Sequence, residues 1–541
     1  MIVAEQVGHV LGTLGVGRVF GVVGSGNFHV TNALRARGVE FVATRHECGA
    51  AVAADAFARM SGRVAVVSTH QGPGLTNAMT GIAEAAKSRT PLIVLTGDMP
   101  ASDRLSNFRI DQDALVRSVG AVSERVHGPR TAVADTVRAY RIALQQRRTV
   151  VLNLPLDVQV ADASDTPVPT VLPTSPVRPD ADAVRRLTEV LAVAKRPVFV
   201  AGRGARAAKA PIRALADACG ALLATSAVAN GLFHDDPWSL GISGGFSSPL
   251  TAELISSADL IVGWGCALNN WTMRHGALIG PDATVVQIDT DPPALGAHRP
   301  VDLAVLGDSA ATATDVLAAT ATGRRTGYRT DELKARIAAR ARWSAKDYQD
   351  VSTADTIDPR TLSARLDELL PTERIVSVDS GNFMGYPSAY LSVPDEFGFC
   401  FTQAFQSIGL GLATAIGAAL ARPDRLPVAA LGDGGFLMAM ADLETVVRLR
   451  LPMVVVVYND AAYGAEVHHF HDDLDTVRFP DTDFAEIARG FGATGVTVRT
   501  TDDLDQVRTW LSGPRDTPLV IDAKIADDGG SWWLAEAFRS H

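Results

Sequence analysis

Two carboxylates fall where a parallel sheet would bind a ligand. Asp433 lies in Gly432-Asp433-Gly434-Gly435 directly after the run VAAL, and Asp460 lies in Asn459-Asp460 directly after VVVVY. Apolar runs bounded by turn residues predict buried strands, and Met438–Arg450 between them predicts a crossover helix. Both acids are therefore expected at the carboxyl ends of strands one helix apart, the side of an open α/β sheet where ligands sit. Glycine permits close backbone approach, and paired carboxylates offer hard oxygen ligands to a divalent cation. Glu47 is another candidate. It follows the run VEFVAT and opens an Ala-rich helical stretch, where the helix dipole alone favours an acid. His70-Gln71-Gly72-Pro73-Gly74 has the composition of a tight strand-to-helix turn. His468, His469 and His471 cluster in sequence, but their spacing fits no zinc motif and no metal is assigned to them.

Such residues need parallel strands to carry them, and three blocks of the chain have that pattern. From Val19 to Gly97 the runs RVFGVV, VEFVAT, RVAVVS and PLIVLTG alternate with helical stretches such as Cys48–Met60 and Asn77–Lys87, which is the signature of βαβ units. Pro167, Pro169, Pro173, Pro176 and Pro179 then interrupt all periodicity and predict an exposed linker. A second block runs through RPVFVAG, a helix over Pro211–Cys219, ALLATS, ADLIVGWG, ATVVQIDTD and LAVLGD, closing near Thr320. A charged helical connector, Gly323–Pro359, leads to the third block: ERIVSVDSG, a helix near Leu410–Ala421, LPVAALGDGG, LPMVVVVYND and PLVIDAKI. The expected fold is α/β, with three open parallel-sheet domains over residues 1–165, 181–320 and 355–541 and no short-period repeat.

Of 541 residues 47% are apolar, enough to build several cores. The net charge of −10, from 50 Lys+Arg against 60 Asp+Glu, argues against a nucleic acid as principal partner. Cys48, Cys219, Cys266 and Cys400 have neither metal-ligand spacing nor the density of a disulfide framework, and read as buried thiols of a cytoplasmic protein. No basic-apolar-small secretory pattern opens the chain, and no apolar run approaches the roughly 20 residues that cross a bilayer. No membrane association is expected.

The segment GDGGFLMAMADLETVVRLRLPMVVVVYND resembles the thiamine-diphosphate signature, which begins GDG and ends NN after one helix. The chain is thereby similar to the thiamine-diphosphate-dependent enzymes that include acetolactate synthases, benzoylformate decarboxylases and pyruvate decarboxylases. The resemblance implies that Asp433, Asp460 and the backbone carbonyl of Ala462 hold Mg²⁺, which ties down the cofactor's diphosphate. Mg²⁺ commonly takes one or two carboxylates plus phosphate oxygens. Asp460 replaces the family's Asn, and Gly435 stands where relatives often have Ser. Thr44-Arg45-His46-Glu47 matches the catalytic-glutamate motif, so Glu47 is expected to hydrogen-bond N1′ of the aminopyrimidine and so promote loss of the thiazolium C2 proton. The turn from His70 to Asn77 is similar to the family's GPG-x-TN turn, and benzoylformate decarboxylase-like members carry a substrate-facing histidine matching His70. The loop Phe20–His29 aligns with the FG-x-PG loop, with Val23 in place of Pro.

By the same resemblance Ser25 and Asn27 fall near the position that faces the substrate carboxylate, and Glu466 matches a glutamate that handles protons after C–C cleavage in pyruvate decarboxylases; Gln71 and His468 are further candidates for facing the substrate. The resemblance further implies that Gly381, Asn382 and Phe383 belong to a loop covering the diphosphate. It implies that backbone groups of Gln406 and Ile408 grip the pyrimidine, that Ile408 separates the two cofactor rings, and that Gly432, Gly434, Tyr463 and Gly464 complete the cofactor site. The blocks correspond to pyrimidine-binding, central Rossmann-like and diphosphate-binding domains. In this family the cofactor lies between the first domain of one subunit and the third of its partner, so a homodimer or a dimer of dimers is expected.

The expected activity is decarboxylation of a small 2-oxo acid, followed by protonation or by attack on a second carbonyl acceptor. An alternative is an FAD-containing acetolactate synthase or pyruvate oxidase type. Against FAD, Leu268-Asn269-Asn270-Trp271 stands where acetolactate synthases usually carry a Phe-Asp-Asp-Arg-like stretch. An NAD dehydrogenase, prompted by the glycines at 21–26 and 202–204, lacks a clean GxGxxG opening a helix. A non-catalytic scaffold is opposed by the joint presence of Glu47, Ile408, Asp433 and Glu466.

Overall fold

The computed structural model describes residues 1–320, 325–470 and 472–539. Its first sheet is built from β1 (Val19–Gly21), β2 (Phe41–Ala43), β3 (Ala65–Thr69), β4 (Leu92–Asp98), β5 (Val122–Arg125) and β6 (Thr149–Pro155). The second contains β7 (Pro197–Ala201), β8 (Leu222–Thr225), β9 (Ser239–Ile242), β10 (Leu260–Trp264), β11 (Thr284–Asp289) and β12 (Leu303–Leu306). The third contains β13 (Arg374–Val378), β14 (Phe399–Phe401), β15 (Leu426–Gly432), β16 (Val454–Asn459), β17 (Thr494–Val498) and β18 (Leu519–Lys524). Every pairing within the sheets is parallel. Helices cover both faces, which is why central strands such as β4 and β16 are buried along their whole length and read as unbroken apolar runs.

The first sheet has the order β2-β1-β3-β4-β6-β5 and the third β14-β13-β15-β16-β18-β17. Counted from the first strand of each, these are the same topology. The middle sheet, β12-β11-β10-β7-β8-β9, is the doubly wound dinucleotide-binding order instead. Strand order reverses between β1 and β3, between β7 and β10, and between β13 and β15. Three crevices therefore open at the carboxyl ends of those pairs.

Several expectations shift in detail. The edge strands β5, β9, β14 and β17 were not among the runs singled out from sequence, nor was the interior strand β6. β5 is only half-buried, β14 has three residues, and β9 pairs with an irregular register, so none carries a long apolar run. The crossover helix begins at Asp433 rather than Met438, because extended Gly432 caps it and its first turn accepts an acid; it breaks at the 3₁₀ turn Met440–Asp442 before Leu443–Arg448. The helix after His70 begins at Pro73, proline being suited to the first turn. Residues 166–180 carry no helix or strand. In the connector the helix is Asp331–Arg340, while residues 323 and 324 lie outside the described residues. Cys219, Cys266 and Cys400 are buried, and Cys48 is half-buried.

The first and third sheets share one apolar core, in which Phe20, Ala50 and Leu75 belong to the same cluster as Leu412, Ile416 and Val455. Its centre is the contact between the helices Glu47–Ser61 and Gly411–Ala421, both rich in alanine and glycine. Gly417 lies so close to the Ala53 carbonyl that a Cβ there would overlap it. Arg59 pins the same boundary. It pairs with Asp55 and Glu84 in the first domain and donates to the Phe401 carbonyl at 3.0 Å in the third.

Helix propensity favours alanine over glycine by about 1 kcal/mol, whereas overpacking against a backbone carbonyl costs about 1–3 kcal/mol. Gly417→Ala is therefore expected to lower the midpoint of thermal or denaturant unfolding. A raised midpoint would show that the two helices do not approach this closely.

Candidate active site

At the crevice between β13 and β15, extended Gly432 leads directly into the helix that Asp433 opens. Asp460 follows β16, and the chain then turns sharply through Ala461, whose φ is 54°. Asp433 is 7% exposed, and burial pushes its carboxyl up to about 6. Burial, followed by the charge of Asp433, pushes Asp460 up to about 8. Both accept the Ala462 N–H. Among the described residues neither has an ion-pair partner. Two adjacent carboxylates with no counter-charge are the donor set of a hard cation.

The surrounding glycines are sterically required. A Cβ on Gly464 would overlap Asp460 Oδ2, and one on Gly434 would lie 2.6 Å from the Tyr463 ring. One on Gly435 would lie 2.5 Å from Asp379 Oδ2, which explains why serine does not occupy that position in this chain. Asp379, for which the sequence supplied no separate role, is fully buried and accepts N–H bonds from Ser380, Gly409 and Leu410. It thereby fixes the turn that carries Gln406, at φ 60°, and Ile408.

A cavity of about 1010 Å³ is lined by Gly381, Asn382, Phe383, Gln406, Ile408, Gly432–Gly435, Asp460, Ala462, Tyr463, Gly464 and Glu466. Phe383 also stacks on Tyr458 with centroids 5.2 Å apart. Asn382 commits its side-chain oxygen and its carbonyl to Ser531. Through that link the C-terminal segment, including Trp533 and Glu536, forms part of the wall. His275 anchors the same segment through the Glu536 carbonyl at 3.0 Å. Sequence reading missed this segment, which carries only the short helix Leu534–Ala537.

His468 departs from its expected role. It follows Glu466 by two positions on the helix Gly464–His469, so the two side chains leave different faces. Glu466 lines the cavity, whereas the His468 ring lies against Gly530 with Nε2 3.9 Å from Asp527. His469 stacks on Phe538, and His471 lies outside the described residues. Among the described residues no group of three or more His, Cys, Asp or Glu side chains could hold a metal.

The first sheet carries a second set at the ends of β1, β2 and β3. Glu47 is the first residue of its helix, and Glu47 Oε2 accepts from Asn77 Nδ2 at 3.0 Å. His70 Nδ1 donates to the Gln71 carbonyl at 2.9 Å, which leaves Nε2 toward Ser25 Oγ at 3.4 Å. Gln71 is buried against Gly26 and Gly97, with an unpartnered Oε1. Asn27 corrects the sequence expectation. It is fully buried, and its amide is spent on Gly24 N, Val22 O and Ser68 Oγ, so it shapes the loop and does not face a substrate.

None of Ser25, Glu47, His70 and Gln71 lines the cavity that holds Asp433 and Asp460. A single chain thus keeps the two sets of candidate residues apart. From the first domain only Lys87, Ser88, Arg89 and Arg147 reach the cavity, where it continues into the β7–β10 crevice past Gly202, Arg203, Gly204 and Asp289–Asp291. Arg89 bridges Asp291 at 3.1 Å and Asp289 at 3.8 Å.

Three family models match the chain in order. They are the thiamine pyrophosphate enzyme N-terminal TPP binding domain over residues 1–116, the central domain over 184–316, and the C-terminal TPP binding domain over 379–523. A sulfoacetaldehyde acetyltransferase of Castellaniella defragrans is 28% identical over 527 residues, covering 91% of this chain and 87% of its own. An acetolactate synthase of Bacillus subtilis is 27% identical, covering 96% and 93%. A probable 2-ketoarginine decarboxylase of Pseudomonas aeruginosa is 29% identical, covering 92% and 89%. With all three domain models matched in sequence order on three parallel α/β sheets, the chain belongs to the thiamine-diphosphate-dependent enzyme family.

Proposed function

We propose that this enzyme uses thiamine diphosphate and Mg²⁺ to decarboxylate a small 2-oxo acid, then either protonates the product carbon or joins it to a second carbonyl compound. The observation that carries the reading is the buried, cation-free pair Asp433 and Asp460 at the end of a glycine-walled cavity. Thiamine diphosphate, when bound, supplies the electron sink for the carbanion left as CO₂ departs. Asp433, Asp460 and the Ala462 carbonyl would hold Mg²⁺, and the backbone of Gly432–Gly435 would face the diphosphate.

The chain's own groups then divide the remaining work. Glu47, oriented by Asn77, holds a proton at the pyrimidine N1′. Ile408, on the turn fixed by Asp379, separates the two cofactor rings. Ser25 and His70 meet the substrate from the first domain, and Glu466 on the cavity wall moves a proton after decarboxylation. Because one chain keeps its two half-sites apart, a complete site requires a second copy. Exposed Val23, Phe28, Phe108 and Ile110 around the first half-site and exposed Phe405, Leu437 and Met438 beside the other offer apolar surface for that dimer.

A second reading adds FAD, because the cavity runs on into a dinucleotide-type crevice. The Arg89 bridges to Asp289 and Asp291 already occupy the acids at that end. The purified enzyme is accordingly expected to show no flavin absorbance, and a flavin spectrum would establish this second reading.

Both metal-site carboxyls lie above the ordinary Asp value, so the metal-free fold loses stability as pH rises from about 4 through about 6 and about 8. Mg²⁺ needs the ionised pair, so its stabilising effect grows over the same window. With thiamine diphosphate present, the Mg²⁺-dependent rise in Tm is expected to be larger at pH 8 than at pH 6. Asp433→Asn should abolish that rise. Asp460→Asn should raise the metal-free Tm at pH 8.

Glu47→Gln is expected to lower turnover by about 10²–10⁴-fold without weakening Mg²⁺ binding, and normal turnover would overturn its role. Glu466→Gln should slow product release relative to CO₂ release with cofactor affinity unchanged. A panel of 2-oxo acids, with and without acceptor aldehydes, separates protonation from ligation by product analysis.

A further inference from the structure

The turn that carries Glu47 is fastened from outside its own domain. Arg45 N–H donates to Asp442 Oδ1 at 3.0 Å, linking residues 397 positions apart. Asp442 ends the 3₁₀ turn that follows the helix opened by Asp433, and it is 3% exposed. Among the described residues it has no ion-pair partner, although His46 and Arg45 lie close enough to act on it electrostatically, and besides Arg45 N–H it accepts only the Thr445 hydroxyl, at 3.3 Å. Burial pushes its carboxyl up. A carboxylate buried on these terms is costly to the fold. The amino end of the helix Glu47–Ser61 compensates it in part through the helix dipole.

A second feature points the same way. Gly49 sits in the first turn of that helix, where glycine costs about 1 kcal/mol relative to alanine. A Cβ at 49 would overlap Asp442 Oδ2, so the missing side chain is what admits the carboxylate. The same stretch of the third domain makes two more contacts with this loop. Glu444 accepts from Arg45 Nε at 2.7 Å, and Arg448 donates to the Ala43 carbonyl. Within its own domain the turn is held by Thr44 N–H on Gly21 O, by the Thr44 hydroxyl on the His46 carbonyl at 3.1 Å and by the His46 ring accepting Cys48 N–H. The Thr44 hydroxyl braces the turn across Arg45, but among the described residues the Arg45 N–H itself is taken by Asp442.

We infer that Asp442 is a positioning residue for Glu47: by holding the Arg45 peptide against the third domain of the same chain, it sets where the glutamate carboxylate stands. This rests on the role of Glu47 given above. It also means that ten consecutive residues serve two sites when the cofactor is shared between chains. Asp433 at one end would meet the metal of one site, and Asp442 at the other would set the glutamate of the second.

The test compares Asp442→Ala, Asp442→Asn, Glu444→Gln and Glu47→Gln as full-length proteins. Three quantities are read: amide hydrogen exchange of a peptide spanning residues 44–50 without cofactor, hydrogen exchange at C2 of bound thiamine diphosphate, and cofactor Kd. Asp442→Ala is expected to deprotect the peptide and to slow C2 exchange by about 10–10²-fold, as misplacing a catalytic group by about 1 Å does, with Kd unchanged. Asp442→Asn keeps an oxygen acceptor for Arg45 N–H and should restore both readouts, and Glu444→Gln should match wild type. Gly49→Ala, which displaces the carboxylate without removing it, should reproduce the alanine phenotype and serves where Asp442→Ala fails to fold. Wild-type C2 exchange in Asp442→Ala alongside slow exchange in Glu47→Gln overturns this inference alone. So does an Asp442→Asn protein as slow as the alanine variant, or a parallel collapse of Kd. Wild-type C2 exchange in Glu47→Gln overturns the role of Glu47 and this inference with it.

Discussion

The arrangement of the third domain follows from the difficulty of burying two like charges together. Asp433 and Asp460 stand at the ends of adjacent strands β15 and β16, with no arginine or lysine paired to either among the described residues. With a net charge of −10 the protein as a whole offers no attraction to a diphosphate, so the anion has to be held by local groups. On the proposed reading a recruited cation would invert the problem, because the same carboxylates that repel an anion would become the means of holding it. The glycines at 434, 435 and 464 then follow as a requirement of space. Asp379 follows in turn, since the loop opposite the cradle must be held by something other than side-chain bulk.

A second constraint is the packing of the helices Glu47–Ser61 and Gly411–Ala421. Their small residues merge the first and third sheets into one core, and that rigid junction keeps the two carboxyl-end crevices of one chain from facing a common cavity. The junction therefore has two effects. It stabilises the monomer, and it makes the monomer incomplete as a catalyst on the proposed reading. Asp442 and Gly49 belong to the same surface, so the position of Glu47 depends on contacts that also hold the domains together.

What was legible from sequence divides along physical lines. Interior strands such as β4, β10 and β16 are announced by runs of Val, Ile and Leu, because both faces are covered. Edge strands β5, β9 and β17 have one or both faces half wet and leave no such run. Asp433, Asp460 and Glu47 were legible because each sits where a strand ends, and that position is itself written in local sequence. Asn27, which is fully buried, and His468, which does not line the cavity, show what local sequence lacks, namely direction. Proximity in sequence to a loop or helix does not say which way the side chain leaves it, although the two-residue offset of His468 from Glu466 already carried that information. Asp442 was not legible at all, since its only meaning is a contact with Arg45 across 397 residues.

The shared topology of the first and third sheets sharpens the division of labour between them. The topologically equivalent crevices, β1 against β3 and β13 against β15, carry different loops. One presents a single glutamate with a serine and a histidine; the other presents glycines and an unneutralised acid pair. The first set suits a neutral heteroaromatic ring that needs one carboxylate contact, and the second suits a phosphate-bearing end that arrives with its cation. A ligand polar in two such different ways fits neither crevice alone. On the proposed reading it takes one crevice of each kind, and since the core junction keeps these apart within a chain, two copies arranged about a two-fold axis would be the simplest assembly to supply both.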